Sequence, residues 1–523
     1  MTLPIPPSPD GRAPDFPLIL DSIFEFDQFD DWIADPLYLE DQRLDRDEVV
    51  RRIEAIWRSR RVDPDDRESV SAPRAGGGTL PVLALGLDLR AVTHAVIAGL
   101  APRIRAGLLR DKVAGFDTDG KSKPLFQAPG QGLKDLARDV RMAAMILGDE
   151  SIHVVDVVDF SNAARFETLE IELGRAGARP DQVNFLRAAA AHPSGALPPI
   201  DDAFSFLYNF YLAPVDRAIA AQRINFFRYR DEYLVIRAGD VAVIERALQA
   251  HGLTGRRVGA AIQIRDIKDA LHARWYDQDE VEPDGRRATD SMSEIVANVG
   301  EGVLVANFTC DTLGERDDDR KPNCQTDSFE LDFEDDPDRA RDLFWSSCRS
   351  GSLHDAVHAV PVLRAFNRAR LSGVLHPPPL DRAPEAARTH RAQLATHRVC
   401  LTDALAVAID RRSAWQVSWT APLLADLGPL TDAEIGLMRN GLAADLGPVA
   451  ELPLRIALAR ASTEPAEAVW RDGMASAGWF RRRSSAVAAY FLARRGSPRA
   501  WLDLRDSLAL DQPILARFLN GYL

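Results

Sequence analysis

The chain has 523 residues, of which 46% are hydrophobic and 27% charged, with a formal net charge of -14. That balance is the one soluble globular proteins have, and the length allows two to four domains of roughly 150 residues each. The acidic excess argues against wrapping of long duplex nucleic acid by bulk electrostatics, although it leaves room for a local basic channel. No apolar run approaches the roughly 18 residues of a membrane span, so no membrane partner is expected.

Residues 1–79 read as an N-terminal extension. Its Pro-rich start, Met1 to Asp10, has no basic-then-apolar signal pattern, which points to a cytoplasmic protein. Phe24 to Trp32 is acidic and aromatic. Arg46 to Arg60 predicts a helix, with Val49, Val50, Ile53, Ile56 and Trp57 at helical spacing. A Gly-rich loop at Arg74 to Gly78 closes this part.

Residues 80–275 have a different texture. Pro81 to Leu85 predicts a strand, Arg90 to Leu109 a helix, and Lys112 to Lys123 a basic loop containing Gly115 and Gly120. Leu133 to Leu147 predicts a helix. His153 to Phe160 is rich in valine and reads as a strand ending in acids. Helices are predicted at Ala164–Gly174 and around Gln182–Ala191, then a Pro-rich turn at Leu197-Pro198-Pro199. Phe204 to Ile219 predicts one long apolar helix. It leads into Phe226 to Ile236, a hairpin with the adjacent carboxylates Asp231 and Glu232 at its tip.

Residues 276–343 are charged and polar around one short apolar stretch, Val303 to Phe308, and read as an insertion or linker. Residues 344–523 are rich in Ala, Leu and Arg. Amphipathic helices are predicted at Leu454–Ala461, Ala466–Ala477, Ser485–Arg495 and Pro498–Leu510, a texture similar to HEAT-type repeats. Cys310, Cys324, Cys348 and Cys400 form no CxxC pair, which removes the common zinc and redox motifs and a disulfide framework.

The chemistry concentrates in the acids. Asp231 and Glu232, side by side in an apolar hairpin, need neutralising charge, and a divalent metal supplies it; the alternative is a surface turn. Asp156 ends a separate apolar strand, with Asp159 as its rival and a strand-end cap as its plainer role. Three carboxylates on neighbouring strands are what two-metal phosphoryl transfer requires, and their oxygens suit Mg2+. His354 and His358 share one helical face, which is either a metal pair or, more simply, a helix surface. Arg481-Arg482-Arg483 reads either as a grip for nucleic acid or a partner, or as a solvated helix start.

The order of these features resembles the reverse-transcriptase family, especially its abortive-infection and phage-defence group. Asp156-Val157-Val158-Asp159-Phe160-Ser161-Asn162, with Phe166 and Leu169 following, resembles the first palm motif. Ser194 to Ile200 with Asn209 and Tyr211 to Asp216 resembles the second, and Arg228-Tyr229-Arg230-Asp231-Glu232 the third. The likeness covers roughly residues 80–270. It implies an α+β fold of fingers and palm, followed by an all-helical C-terminal domain in place of a thumb.

The resemblance also implies DNA synthesis from dNTPs with Mg2+ or Mn2+, with Asp156, Asp231 and Glu232 as catalytic metal ligands. Val157, Phe160, Ser161 and, on the fingers helix, Arg90 would lie near the substrate, with Lys112, Lys121 and Lys123 toward its triphosphate. Tyr276, Tyr490 and Tyr522 are the alternatives for priming from a protein hydroxyl. The implied partners are an RNA or DNA template and product, a non-coding RNA or a second polymerase, and further copies of the chain. Three positions depart from the family. Glu232 replaces an aspartate; Ala196, Pro199 and Ile200 alter the second motif; and Ser161 replaces an aromatic residue. A palm that keeps the fold and has lost the chemistry, acting as an RNA-binding or scaffold partner, is the rival reading.

Overall fold

The computed structural model describes residues 2–8, 11, 13–26, 42–43, 45–64, 67–73, 79–115, 117–118, 125–126, 129–148, 151–192, 195–198 and 200–264. In the C-terminal half it describes 398, 402–403, 405–410, 412, 417, 421, 424–425, 429–444, 446, 448–461, 482–483, 506, 509 and 513–521. The chain divides into two compact units. The first comprises Met1–Asp30, Arg46–Ser69 and Arg74–Gly300, and the second Asp31–Asp45, Val70–Pro73 and Glu301–Leu523. Helices and a mixed sheet occur together, which agrees with the α+β class. Among the described residues no helix is long and apolar enough to cross a membrane.

The first unit is built on a five-stranded sheet. Its strands are β1 (Val113–Ala114), β2 (Ser151–Val157), β3 (Phe226–Tyr229), β4 (Glu232–Val235) and β5 (Gly255–Gln263), in the order β1-β3-β4-β2-β5. β1 runs parallel to β3, and the other neighbours are antiparallel. Strand residues alternate between faces, so each face has its own core. On one face Ile152, Val154, Phe227, Tyr229, Leu234 and Ile236 are buried with Leu136, Val140 and Ala144 of helix α1 (Pro129–Leu147). On the other, Asp216 of helix α2 (Ala213–Ala221) reaches Arg228 and Tyr233.

Several predicted elements are shifted, each for a local reason. The predicted strand His153–Phe160 ends at Val157, because Asp159 turns left-handed (φ 51) and Phe160 opens a four-residue helix to Ala163. The predicted helix Phe204–Ile219 is two helices, Asp202–Tyr211 and α2, which join at Leu212 where Pro214 restarts the turn. The basic loop Lys112–Lys123 contains the short strand β1. The helix predicted over Arg90–Leu109 runs from Leu87 to Gly107, and the one over Arg46–Arg60 from Arg46 to Ser59 with Val49, Ile53 and Trp57 buried. The strand β5 and the helix Val241–Ala250 before it have no counterpart among the predicted elements.

In the second unit, Asp432–Ala443 and Pro448–Ala461 are helices that pack together, with Gly441 against Ile409 and Leu454. Thr431 caps the first of them. It forms a capping box with Glu434, which Arg398 also grips at 2.6 Å. The predicted helices at Ala466–Ala477 and Ser485–Arg495, most of Pro498–Leu510, the stretch Val303–Phe308, His354, His358 and all four cysteines lie outside the described residues.

Candidate active site

The three sequence-predicted acids come together at one end of the sheet. Asp156 is the Cα partner of Glu232 across β2 and β4, and Glu232 is the partner of Tyr229 across β3 and β4. On its other side Asp156 is the partner of Arg256 on β5. Partners directly opposite in an antiparallel ladder point to the same face, with Cβ atoms about 5 Å apart. Tyr229, Glu232, Asp156 and Arg256 therefore form one rung across four strands, on the face that carries the α1 core.

Asp231 sits beside this rung and not in it. The hairpin tip consists of Arg230 and Asp231, and Glu232 is already the first residue of β4. Arg230 takes the left-handed conformation (φ 56), which costs a non-glycine residue about 1 kcal/mol. Three contacts hold it there. Its N–H donates to the Ala114 carbonyl at 3.3 Å, its carbonyl accepts from the Arg228 guanidinium, and its own guanidinium lies 5.2 Å over the Tyr229 ring. The Asp231 carbonyl accepts from the Val157 N–H at 3.2 Å, which seats the tip against the end of β2.

All three acids are enclosed: Asp156 and Glu232 are 0% exposed and Asp231 is 1%. Two acids enclosed side by side on one face cannot both carry charge at low cost unless a positive charge lies nearby. Arg256 supplies one, with its Nη2 at 3.8 Å from Asp156 Oδ2. The pair offers hard oxygen donors of the kind Mg2+ takes. Among the described residues no group of three or more His, Cys, Asp or Glu is arranged to hold a metal ion. The donors present therefore fit a hard cation at the Asp156–Glu232 pair, with Asp231 next to it.

The opposite face holds the hairpin in place. Arg228 is fully buried and donates to both Asp216 oxygens, at 2.9 Å and 2.7 Å, and to the Asn209 carbonyl at 2.8 Å. The Tyr233 hydroxyl donates to Asp216 at 3.0 Å. Burial, then Asp216, push the Tyr233 hydroxyl well above its ordinary range, so it stays a donor. Burial alone would lower the Arg228 pKa, but Asp216 overrides this and raises it, which keeps the guanidinium charged. Asn209 and Asp216 of the second motif thus bind Arg228 of the third.

The first and second motifs also meet. Phe160 packs edge-on to Tyr208 and Tyr211, at 6.2 and 5.3 Å between ring centroids. Leu197 N–H donates to the Ala164 carbonyl at 3.0 Å. Val157, Phe160 and Ser161 are all buried. Asp159, the rival acid, does not join the rung; it accepts from the Asn162 amide at 2.9 Å.

Of the basic residues that the resemblance places near the substrate, Lys112 and Arg90 are described. Lys112 holds its ammonium 4.7 Å over the Phe227 ring, next to β3. Arg90 is buried on the helix Leu87–Gly107, near Asp201. Asp201 also lies 3.2 Å from His94, and its carboxylate accepts from the Phe204 N–H at 2.9 Å. Burial raises the Asp201 pKa, but the His94 and Arg90 charges outweigh it and leave a net lowering. Arg483 is buried. Lys121, Lys123, Tyr276, Tyr490 and Tyr522 lie outside the described residues.

Sequence reasoning missed Arg256. The alternation of Ile262 and Ile264 could have revealed its strand, since both pack on the α1 core. No known protein family matches this chain, and none of the curated proteins matches it in sequence.

Proposed function

We propose that the chain is a reverse-transcriptase-like nucleotidyltransferase of phage defence, building DNA from dNTPs. The observation that carries this reading is the facing of Asp156 and Glu232 on adjacent strands, with Asp231 in the hairpin tip beside them. Asp156 and Glu232 would hold a divalent cation, with Asp231 of the adjoining hairpin tip as a further ligand. When bound, such cations activate an attacking hydroxyl and stabilise the leaving phosphate oxygen.

The chain's own part is positional. The β2–β4 ladder fixes Asp156 against Glu232. The Arg228–Asp216 pair fixes the hairpin, and the Phe160–Tyr208–Tyr211 cluster holds the segment after β2. The C-terminal helices would serve as a repeat-type domain for self-association or for a nucleic-acid or protein partner.

A second reading has an observation of its own. The three acids are enclosed, which suits a palm retained as a scaffold or RNA-binding partner of another polymerase. Incorporation of labelled dNTPs by the purified chain with Mg2+ or Mn2+ separates the two. Metal-dependent product supports the first reading, and its absence over a range of primers and templates supports the second.

A further inference from the structure

Two arginines face buried acids in this sheet, and they are held very differently. Arg228 is fully enclosed and fixed to Asp216 and Asn209 by several hydrogen bonds. Arg256 lies on the edge strand β5 with its side chain 47% exposed, while its partner Asp156 is 0% exposed. Its 3.8 Å approach is a charge contact and lies beyond hydrogen-bond distance. Arg256 can therefore turn out to water at small desolvation cost, and Asp156 cannot.

We propose that Arg256 is a displaceable counter-ion of the Asp156–Glu232 pair. It neutralises the pair when no cation is bound and yields its place to a divalent cation. This rests on the functional reading above and adds a residue that reading does not use. A guanidinium brings one positive charge at a distance, whereas a divalent cation brings two and coordinates the oxygens directly. The two compete for the same carboxylates, so Arg256 weakens cation binding and at the same time stabilises the cation-free fold. Its edge position leaves an exit route that Arg228, on an interior strand, does not have.

The test uses the full chain as wild type, Arg256→Gln, Arg256→Lys and Asp156→Asn. Mn2+ binding is followed by the electron paramagnetic resonance of free Mn2+, and thermal unfolding is measured in EDTA and in Mn2+. Removing one partly exposed charge should tighten Mn2+ binding by about five- to tenfold in Arg256→Gln. The same variant should melt lower than wild type in EDTA and regain most of the difference in Mn2+. Arg256→Lys, which keeps the charge, should stay close to wild type in both.

Should Arg256→Gln prove too unstable to purify, Glu232→Gln combined with Arg256→Gln removes one anion with its counter-charge and should restore folding. Failure of that double variant to fold would overturn the proposal. Mn2+ binding that depends on Asp156 but is unchanged or weaker in Arg256→Gln would overturn it while leaving the functional reading intact. Absence of any Asp156-dependent Mn2+ binding would overturn both.

Discussion

Replacing Arg228 by Met should loosen the hairpin that carries Asp231 and Glu232. Arg228 donates to Asp216 at 2.7 Å and to the Asn209 carbonyl at 2.8 Å, and its exposure is 0%. Without it, the enclosed Asp216 carboxyl keeps, among the described residues, the Tyr233 hydroxyl at 3.0 Å. Removing one partner of a buried pair costs about 3–5 kcal/mol. Because the lock is local, the loss should appear as local opening. At 1.4 kcal/mol per tenfold, amide protection in peptides covering 226–236 should fall by about 10²- to 4 × 10³-fold in hydrogen exchange. The triple variant Arg228→Met, Asp216→Leu, Tyr233→Phe replaces the network by apolar groups of similar volume and should recover most of the protection. A less than about threefold change in Arg228→Met would refute the reasoning, since it would mean that the hairpin does not depend on this pair.

Two further outcomes follow from packing and charge. Gly255→Ala places a Cβ 2.7 Å from Leu248 Cδ1 and 3.2 Å from Val155 Cγ1, so either the enclosed Leu248 side chain must repack or β5 must shift; we expect a loss of about 1–3 kcal/mol by chemical denaturation, and an unchanged midpoint would show that the helix–β5 packing is looser than described. In the second unit, burial raises the Glu434 carboxyl, but Arg398 and Thr431 outweigh it and bring its pKa from 4.5 down to about 2. A lowered folded-state pKa gives stability that is complete above about 4.5 and lost as pH falls toward 2. The gap in protection between wild type and Glu434→Gln over residues 431–444 should therefore close across that window, and a gap that persists at pH 2 would contradict the assignment.

The parts of this fold that are legible in the sequence are those whose signal is local. Ser151–Val157 announces itself by its valines and the hairpin by its aromatic flanks, whereas the meeting of Asp156 with the hairpin acids is implied by the resemblance and is realised by long-range register. The valine pattern carries the predicted strand too far, because Val158 still looks extended and nothing nearby signals the left-handed turn at Asp159. β1 is two residues long and carries no periodicity of its own; it exists because the Arg228 N–H donates to the Lys112 carbonyl at 2.7 Å. β5 begins Gly-Arg-Arg, a poor strand composition, and is defined by long-range pairing to β2.

For the same reason Arg256 is invisible in the sequence as a site residue. Its partner Asp156 is one hundred positions away, and only the register brings them together. Arg90 is a similar case: the resemblance places it near the substrate, and its burial becomes intelligible once Asp201, far along the chain, is near it.

The central claim is that Asp156, and not Asp159, faces the hairpin acids and carries the chemistry. Both sit within one short stretch, but Asp156 is the register partner of Glu232, while Asp159 lies in the turn and accepts from Asn162 at 2.9 Å. The most direct measurement is labelled dNTP incorporation with Mn2+ by wild type, Asp156→Asn and Asp159→Asn, each first shown by circular dichroism to be folded. The account predicts synthesis by wild type, none by Asp156→Asn, and retention of most activity by Asp159→Asn. Near-normal synthesis by Asp156→Asn, or its loss only in Asp159→Asn, would contradict it.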